Sequence, residues 1–212
     1  RLGARQISTC VAPVLFVPEL ARGLIGSFLG AIRGGSQYRR SSFLLDAAGQ
    51  KVFPDWFRCT EHPHLLKALG SAPFDSEGVQ TRDRTLVDQG VLTGYVLSTY
   101  SARKLGLKTT GNAGGVHNLM VEPGSATGAH DHAALLGQMD RGLVVTELMG
   151  SGINGVTGDY SRGAAGFWVE NGQLAYPVHE ITIAGNLKDM YQHVVAVGSD
   201  VDVRGGIRTG SI

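Results

Sequence analysis

Two histidine pairs are the first residues in this sequence whose types and spacing could do chemistry. His62 and His64 flank a proline, and His130 and His132 flank an aspartate. On a β-strand, residues two positions apart point to the same face, so each pair could offer two imidazoles to one metal ion. A metal site normally needs three or four converging ligands. The sequence therefore favours structural roles: the proline opens a helix over residues 65–69, and the second pair lies in an exposed loop or helix start.

Three further segments resemble catalytic motifs but do not complete them. The stretch Gly111 to Gly115 is rich in glycine, yet no Lys-Ser/Thr follows it, so a structural loop is favoured over a phosphate-binding one. Ser151 and Ser161 do not lie in a G-x-S-x-G pattern, so no nucleophile elbow is predicted. The polar run Asp159 to Arg162 lies between glycines. It is interpreted as a turn with local Asp–Arg pairing, or as a loop that borders a groove.

Composition excludes several classes of protein. The chain has 212 residues, 42% hydrophobic and 17% charged, and its net charge of +1 argues against nucleic acid or an anionic membrane as a direct partner. The 31 glycines follow no three-residue period, which excludes collagen. Cys10 and Cys59 are interpreted as free thiols. No apolar run approaches the length of a membrane span, and residues 1–5 lack the apolar core of a signal peptide, so a cytoplasmic location is predicted.

The elements that must position these residues begin with a strand over 11–17 and a helix from Pro18 to Gly30. Gly23 and Gly26 inside that helix each cost up to about 1 kcal/mol relative to alanine, which suggests that another backbone packs closely there. A second helix is predicted over residues 187–197, with Asn186 as its N-cap.

Turn signals predict two hairpins between these helices. Gln89-Gly90 separates two β-branched runs, and Asn171-Gly172 suits a type I′ turn that leaves Phe167 and Val169 on one face and Trp168 on the other. Short strands are also indicated at residues 143–145 and 178–183. The predicted fold class is α+β, mostly antiparallel β-hairpins and sheets, with a glycine-marked helix near the start and a C-terminal helix.

Long strings of residues, in order across nearly the whole chain, resemble the TldD/PmbA family in its PmbA (TldE) type. The strings cover residues 35–39, 43–46, 61–67, 73–79, 100–107, 146–150, 157–172 and 180–188. The resemblance implies that residues 1–212 are a single domain, most of the C-terminal domain of such a protein, without the N-terminal domain that the family carries ahead of it.

The resemblance also implies a protein complex. TldD-type and PmbA-type subunits form a heterodimeric cytoplasmic metalloprotease implicated in peptide maturation and antitoxin degradation, and the family also has the label "modulator of DNA gyrase". The implied partners of this chain are a TldD-type subunit and a peptide or unfolded protein substrate, with no membrane and no direct nucleic acid.

The family's zinc ligands are absent by the same resemblance. TldD-type subunits bind zinc through H-E-x-x-x-H on a helix, where the i, i+5 spacing would need a distorted helix, and through a cysteine near the C-terminus. The corresponding positions here are Arg22, Gly23, Ser27 and Thr209. None of these can replace the ligands or the general base. The resemblance therefore implies no catalytic residue, metal or cofactor in this subunit, with zinc expected in the partner.

Three hypotheses follow. The leading one is a non-catalytic subunit that shapes a substrate cavity and docks a TldD-type partner. The second is an interaction module that modulates DNA gyrase through protein contact and without proteolysis. The third is an independent hydrolase that uses His62, His64, His130 and His132.

Overall fold

The computed structural model describes residues 2–212, so Arg1, the first residue of the predicted domain, lies outside the described residues. The helices are α1 (Pro18–Ile32), α2 (Gly34–Tyr38), α3 (Thr99–Leu105), α4 (His132–Gln138) and α5 (Leu187–Gln192). The strands are β1 (Val14–Phe16), β2 (Cys59–Glu61), β3 (Arg84–Asp88), β4 (Val91–Leu92), β5 (Leu119–Val121), β6 (Gly124–Ser125), β7 (Arg141–Met149), β8 (Asp159–Glu170), β9 (Gln173–Asn186), β10 (Ala196–Val197) and β11 (Ile207–Arg208).

The strands form two larger sheets and one small one. The first sheet has the order β1-β7-β8-β9, the second has the order β11-β5-β2-β3-β4, and β10 pairs with β6. All pairings between these strands are antiparallel except β1 with β7 and β11 with β5. The predicted α+β class with mostly antiparallel hairpins is confirmed. Among residues 2–212, no helix is both long enough and apolar enough to pass through a membrane.

Both predicted hairpins form, because their turn residues take the left-handed conformation that such turns need. Asn171 and Gly172 have φ angles of 51° and 71°, and they join β8 to β9. Gln89 and Gly90 have φ angles of 47° and 75° and join β3 to β4. At Gly90, a Cβ atom would also collide with the carbonyl oxygen of Phe53, so only glycine fits.

The predicted faces of β8 are confirmed. Trp168 pairs with Leu143 of β7, and both belong to the main core. The half-buried Phe167 pairs with Val144, which belongs with Val169 to a second, smaller core cluster on the opposite face. A register shift lies between Trp168 and Val169 in the pairing of β8 with β9, as at a β-bulge.

The strand predicted at residues 11–17 is shorter than expected, since only Val14–Phe16 pair with β7 and Val11 is fully exposed.

Helix α1 carries one face of the main core. Its buried side chains include Leu24, Ile25 and Phe28, and the Phe28 ring packs edge-on against Phe53 with 5.2 Å between centroids. The helix begins at Pro18, whose fixed φ suits a first turn. It ends at Ile32 because the next residue is extended and bridges to Val96.

Two helix predictions are wrong, and so is the reason given for the helix glycines. Residues 65–69 form turns instead of a helix, since Lys67 has a φ of 57° and the nearby leucines are mostly exposed and have no core to cover. The C-terminal helix ends at Gln192, and residues 196–197 form β10 instead. At Gly23 and Gly26, a Cβ atom would meet nothing within 4 Å, so no backbone packs closely there. The predicted N-cap is confirmed, because the Asn186 side chain accepts a hydrogen bond from the Lys188 amide.

Candidate functional site

An open groove of about 510 Å³ lies along one face of α1. The opposite wall consists of two glycine-containing loops, here named the 111–116 loop and the 202–206 loop, together with the start of β11. The residues that line the groove are Arg22, Gly26, Leu29 and Gly30 of α1, Arg33 directly after α1, Gly114, Gly115 and Val116, and Gly205, Gly206 and Ile207. The helix positions recur every three or four residues, so a single helical face borders the groove.

An ion-pair network occupies one end of the groove. A terminal nitrogen of Arg22 lies 3.3 Å from Oδ2 of Asp202, whose side chain is only 5% exposed. Arg204 donates to both carboxylate oxygens of Asp202 and to Oε1 of Glu19. The hydrogen bonds from Arg204, aided by the charge of Arg22, lower the pKa of Asp202 to about 2. Asp202 therefore stays ionised and holds Arg22 against the 202–206 loop.

The four predicted positions of the family metal site do not converge on one point in the structure. Arg22 lines the groove, whereas Gly23 and Ser27 do not. Because α1 is an uninterrupted α-helix, residues 22 and 27 project about 140° apart. The Ser27 hydroxyl donates back to the Gly23 carbonyl at 3.0 Å. Thr209 is fully buried, and its carbonyl accepts from the Asp202 amide at 3.0 Å.

The chemistry of these four residues does not fit zinc. A guanidinium is a permanent cation, a glycine has no side chain, and the two hydroxyl groups are already engaged with backbone carbonyls. Within residues 2–212, no group of three or more His, Cys, Asp or Glu side chains is arranged to hold a metal ion.

Arg33 lies at the other end of the groove and differs from Arg22. It is exposed and forms no ion pair with any other residue of the described range 2–212. A terminal nitrogen of Arg33 lies over Gly115, 3.3 Å from the position that a Cβ atom there would occupy. Gly115 has a φ of 130°, which disfavours other residues. The glycine therefore leaves room for the guanidinium at the mouth of the groove.

Buried carboxylates hold the 111–116 loop from behind. Asp75 accepts hydrogen bonds from the amides of Glu77, Val79 and Ala113, each at 2.9 Å. Burial alone would raise the pKa of Asp75, but these amides lower it below its usual value. The predicted role of the Gly111–Gly115 stretch as a structural loop agrees with this anchoring, although the loop also forms a wall of the groove.

A second carboxylate, Glu61, was missed by sequence reasoning. Its side chain is 1% exposed, and Oε1 accepts from the Asn112 amide group at 2.7 Å and from the His117 backbone amide at 2.7 Å. Oε2 has no hydrogen bond, and the guanidinium of Arg84 lies 3.9 Å away. Burial lowers the pKa of Arg84. Asn112 also donates to the Gly115 carbonyl at 3.1 Å, so Glu61 supports the groove wall through Asn112.

The histidine pair at 62 and 64 does not converge. His62 shares a hydrogen bond with the Thr60 hydroxyl at 3.0 Å, and His64 shares one with the Thr81 hydroxyl at 3.1 Å. The two imidazoles therefore serve different local contacts. The expected helix start at Pro63 is absent, as described above for residues 65–69.

The second pair lies at a helix start, as predicted. The carboxylate between the two histidines, that of Asp131, caps α4 by accepting from the Ala134 amide. His132 contacts the Ser211 hydroxyl at 3.0 Å, while His130 contacts a nearby threonine. Each histidine again has its own partner.

The polar run at 159–162 is not the predicted turn. It forms the first residues of β8, and Asp159 accepts from the Thr157 hydroxyl at 2.6 Å instead of pairing with Arg162. The Nε atom of Arg162 is buried without a hydrogen-bond partner. The polar sequence predicted a turn, but these residues form a strand because β8 pairs with β7 on one side and with β9 on the other.

Comparison with known proteins gives one consistent answer. Residues 9–212 match the family model described as "PmbA/TldA metallopeptidase C-terminal domain". The chain is 57% identical over 212 residues to the metalloprotease PmbA of Escherichia coli O157:H7, covering 100% of this chain and 46% of that protein. It is 55% identical to the PmbA homologue of Haemophilus influenzae, with the same coverage. The chain thus spans about half the length of these curated relatives.

Solved structures agree with the sequence comparisons. A protein of Bacteroides thetaiotaomicron, named as a candidate modulator of DNA gyrase, matches with a TM-score of 0.92 and 33% identity over 99% of this chain and 47% of that one. TldE from Thermococcus kodakarensis matches with a TM-score of 0.82 and 26% identity over 95% of this chain and 48% of that one.

Proposed function

Because the chain belongs to the PmbA/TldD metallopeptidase family, we propose that it is the non-catalytic part of a metalloprotease complex. In this proposal it borders the substrate cavity and docks a TldD-type subunit, which binds the zinc. The substrates are peptides or unfolded proteins, the process is peptide maturation or degradation, and the location is cytoplasmic. Residues 1–212 then make up most of a C-terminal domain.

One observation carries the proposal. Helix α1 is uninterrupted and borders an open groove. In this proposal α1 is the helix that carries the metal motif in TldD-type subunits, and Arg22, which is ion-paired with Asp202, occupies the position of the first histidine. A guanidinium has no lone pair for a metal ion, and Gly23 supplies no general base to activate water. A retained cavity without a catalytic group favours a substrate-binding role.

The test is reconstitution with the TldD-type subunit. The full-length protein that contains this chain is purified alone, the partner is purified alone, and the two are mixed in equal amounts. We expect chelator-sensitive hydrolysis of unfolded peptides in the mixture, co-elution of both proteins, and about one zinc per partner. A partner whose motif glutamate is replaced by glutamine is the matched inactive control. Chelator-sensitive hydrolysis by the full-length protein alone would overturn the proposal.

Two variants separate the competing hypotheses. An independent hydrolase that uses the histidine pairs would lose activity in His64→Ala or His132→Ala, whereas the complex should keep its peptidase activity in both. The gyrase alternative is favoured only by the names of two structural neighbours, one from Bacteroides thetaiotaomicron and one from Thermotoga maritima. It predicts that the protein co-purifies with gyrase and that the reconstituted mixture has no peptidase activity.

A further inference from the structure

The two ends of the groove differ in charge. At one end Arg22 is neutralised by Asp202, which is itself bound by Arg204. At the other end Arg33 has no ion-pair partner in the described part of the chain, and none of the residues that line the groove is acidic. The groove therefore has a single uncompensated guanidinium. An unpaired cation at the end of a lined groove favours an anionic group of a ligand.

The shape of the groove suits an extended chain. Arg22 lies in α1 and Arg33 directly follows its last residue, so their Cα atoms are about 16 Å apart along the helix axis. An extended peptide rises about 3.3 Å per residue, so about five residues would span this length. Gly26 and Gly30 line the floor, and a Cβ atom at either would meet nothing within 4 Å. The volume of about 510 Å³ lies within the usual range for small-ligand sites.

The wall beside Arg33 is held before any ligand arrives. Asp75 binds the Ala113 amide, and Asn112 links the Gly115 carbonyl to the buried Glu61. A loop anchored at successive residues loses little freedom when a ligand binds, which favours affinity. The two carboxylates are already engaged with the loop.

From these observations we infer that the groove binds an extended peptide of about five residues and that Arg33 holds its carboxylate. This inference rests on the proposed role in peptide handling and adds the chemical group that is recognised. The planar guanidinium can donate two parallel hydrogen bonds to a carboxylate. The carboxylate can be the peptide's C-terminus or the side chain of a glutamate, and the two sources share one chemistry.

Fluorescence anisotropy with four labelled hexapeptides tests this inference. One peptide has a free C-terminus, one is amidated, and the other two repeat this pair with one internal glutamate. We expect peptides with a carboxylate to bind the full chain at least about tenfold more tightly than the neutral amidated peptide. Comparing the free-terminus peptide with the amidated glutamate peptide identifies which carboxylate is held. Equal affinity for all four peptides, or no binding, would overturn the inference.

Substitutions locate the contact. Arg33→Gln should remove the preference for a carboxylate, whereas Arg82→Gln, an exposed arginine outside the groove, changes the net charge equally and should leave the preference intact. Gly26→Leu should block the groove and weaken binding at least about tenfold. Gly23→Leu adds the same side chain outside the groove and should bind as the parent does.

The outcome is separable from that of the proposed function. If Arg33→Gln keeps the preference, the contact is assigned to the wrong residue and the inference fails, even when the reconstituted complex cleaves peptides. If the complex is inactive but the carboxylate preference depends on Arg33, the binding site stands and the protease role fails. Circular dichroism of each variant confirms that the chain is folded before binding is measured.

Discussion

Replacing Gly23 and Gly26 of α1 by alanine should make the protein more stable. Both residues lie inside a 15-residue helix, where glycine is unfavourable because it has the largest backbone freedom to lose. A neighbour that packs against such a glycine would oppose a larger side chain. Here a Cβ atom at either position would meet nothing within 4 Å. The substitution therefore adds helix propensity without a steric cost.

The expected magnitude follows from these two facts. Glycine is about 0.8–1.0 kcal/mol less favourable than alanine at an interior helix position, so the double substitution should raise the free energy of unfolding by about 1.5–2 kcal/mol. For a chain of this length, 1 kcal/mol corresponds to about 2–4 °C in Tm. The double variant should therefore melt about 3–8 °C higher than the parent.

Urea denaturation followed by circular dichroism measures the change, with the slope of the transition as a check that the unfolded state is unaltered. Gly166→Ala is the control of opposite sign. Its Cβ would collide with the Val144 carbonyl, so it should lower the free energy of unfolding by about 1–3 kcal/mol. If the two helix substitutions destabilise the chain as the control does, the face of α1 is not open and the reasoning about the groove fails.

Three other outcomes are expected. The pKa of Asp202 is lowered to about 2 in the folded chain, so the ionised side chain should add about 1–2 kcal/mol to the free energy of unfolding, a value reduced because its partner arginine is exposed. This stabilisation should be present above about pH 4 and lost as the pH falls towards 2. In urea titrations, Asp202→Asn should flatten this part of the stability profile. Cys10 is exposed and Cys59 is buried, where burial raises the pKa of the thiol, so a thiol reagent at pH 8 should modify one cysteine in the native chain and two after unfolding. Arg22→His alone should bind no stoichiometric zinc in elemental analysis, since one imidazole is not a site; about one zinc per chain would contradict the assignment of the metal positions.

Local signals were sufficient for part of the fold. The turn at Asn171-Gly172 and the cap at Asn186 depend on residues a few positions apart, and both formed as predicted. The helix expected over residues 65–69 did not form, because a short apolar run folds as a helix only where a core lies beside it. The chain at Lys67 instead turns with a positive φ.

The groove could be predicted only at one end. The resemblance to the family pointed to Arg22, but nothing in the spacing of residues pointed to Arg33 or Glu61. Glu61 meets Asn112 and His117 across more than fifty positions of sequence. Contacts of that kind depend on the tertiary fold and leave no local pattern.

Strand β1 constrains the order of events while the protein is being made. Val14 pairs with Leu143 of β7, and Phe16 exchanges backbone hydrogen bonds with Ile212 at 2.7 and 3.0 Å. Strand β1 must therefore wait for residues translated more than a hundred positions after it, about ten seconds or more at ordinary rates of synthesis. During that interval Leu15 and Phe16 have no sheet to join, while the β8–β9 hairpin can form as soon as its own residues emerge. Translation speed and chaperone binding at this apolar strand should then govern the yield of folded protein.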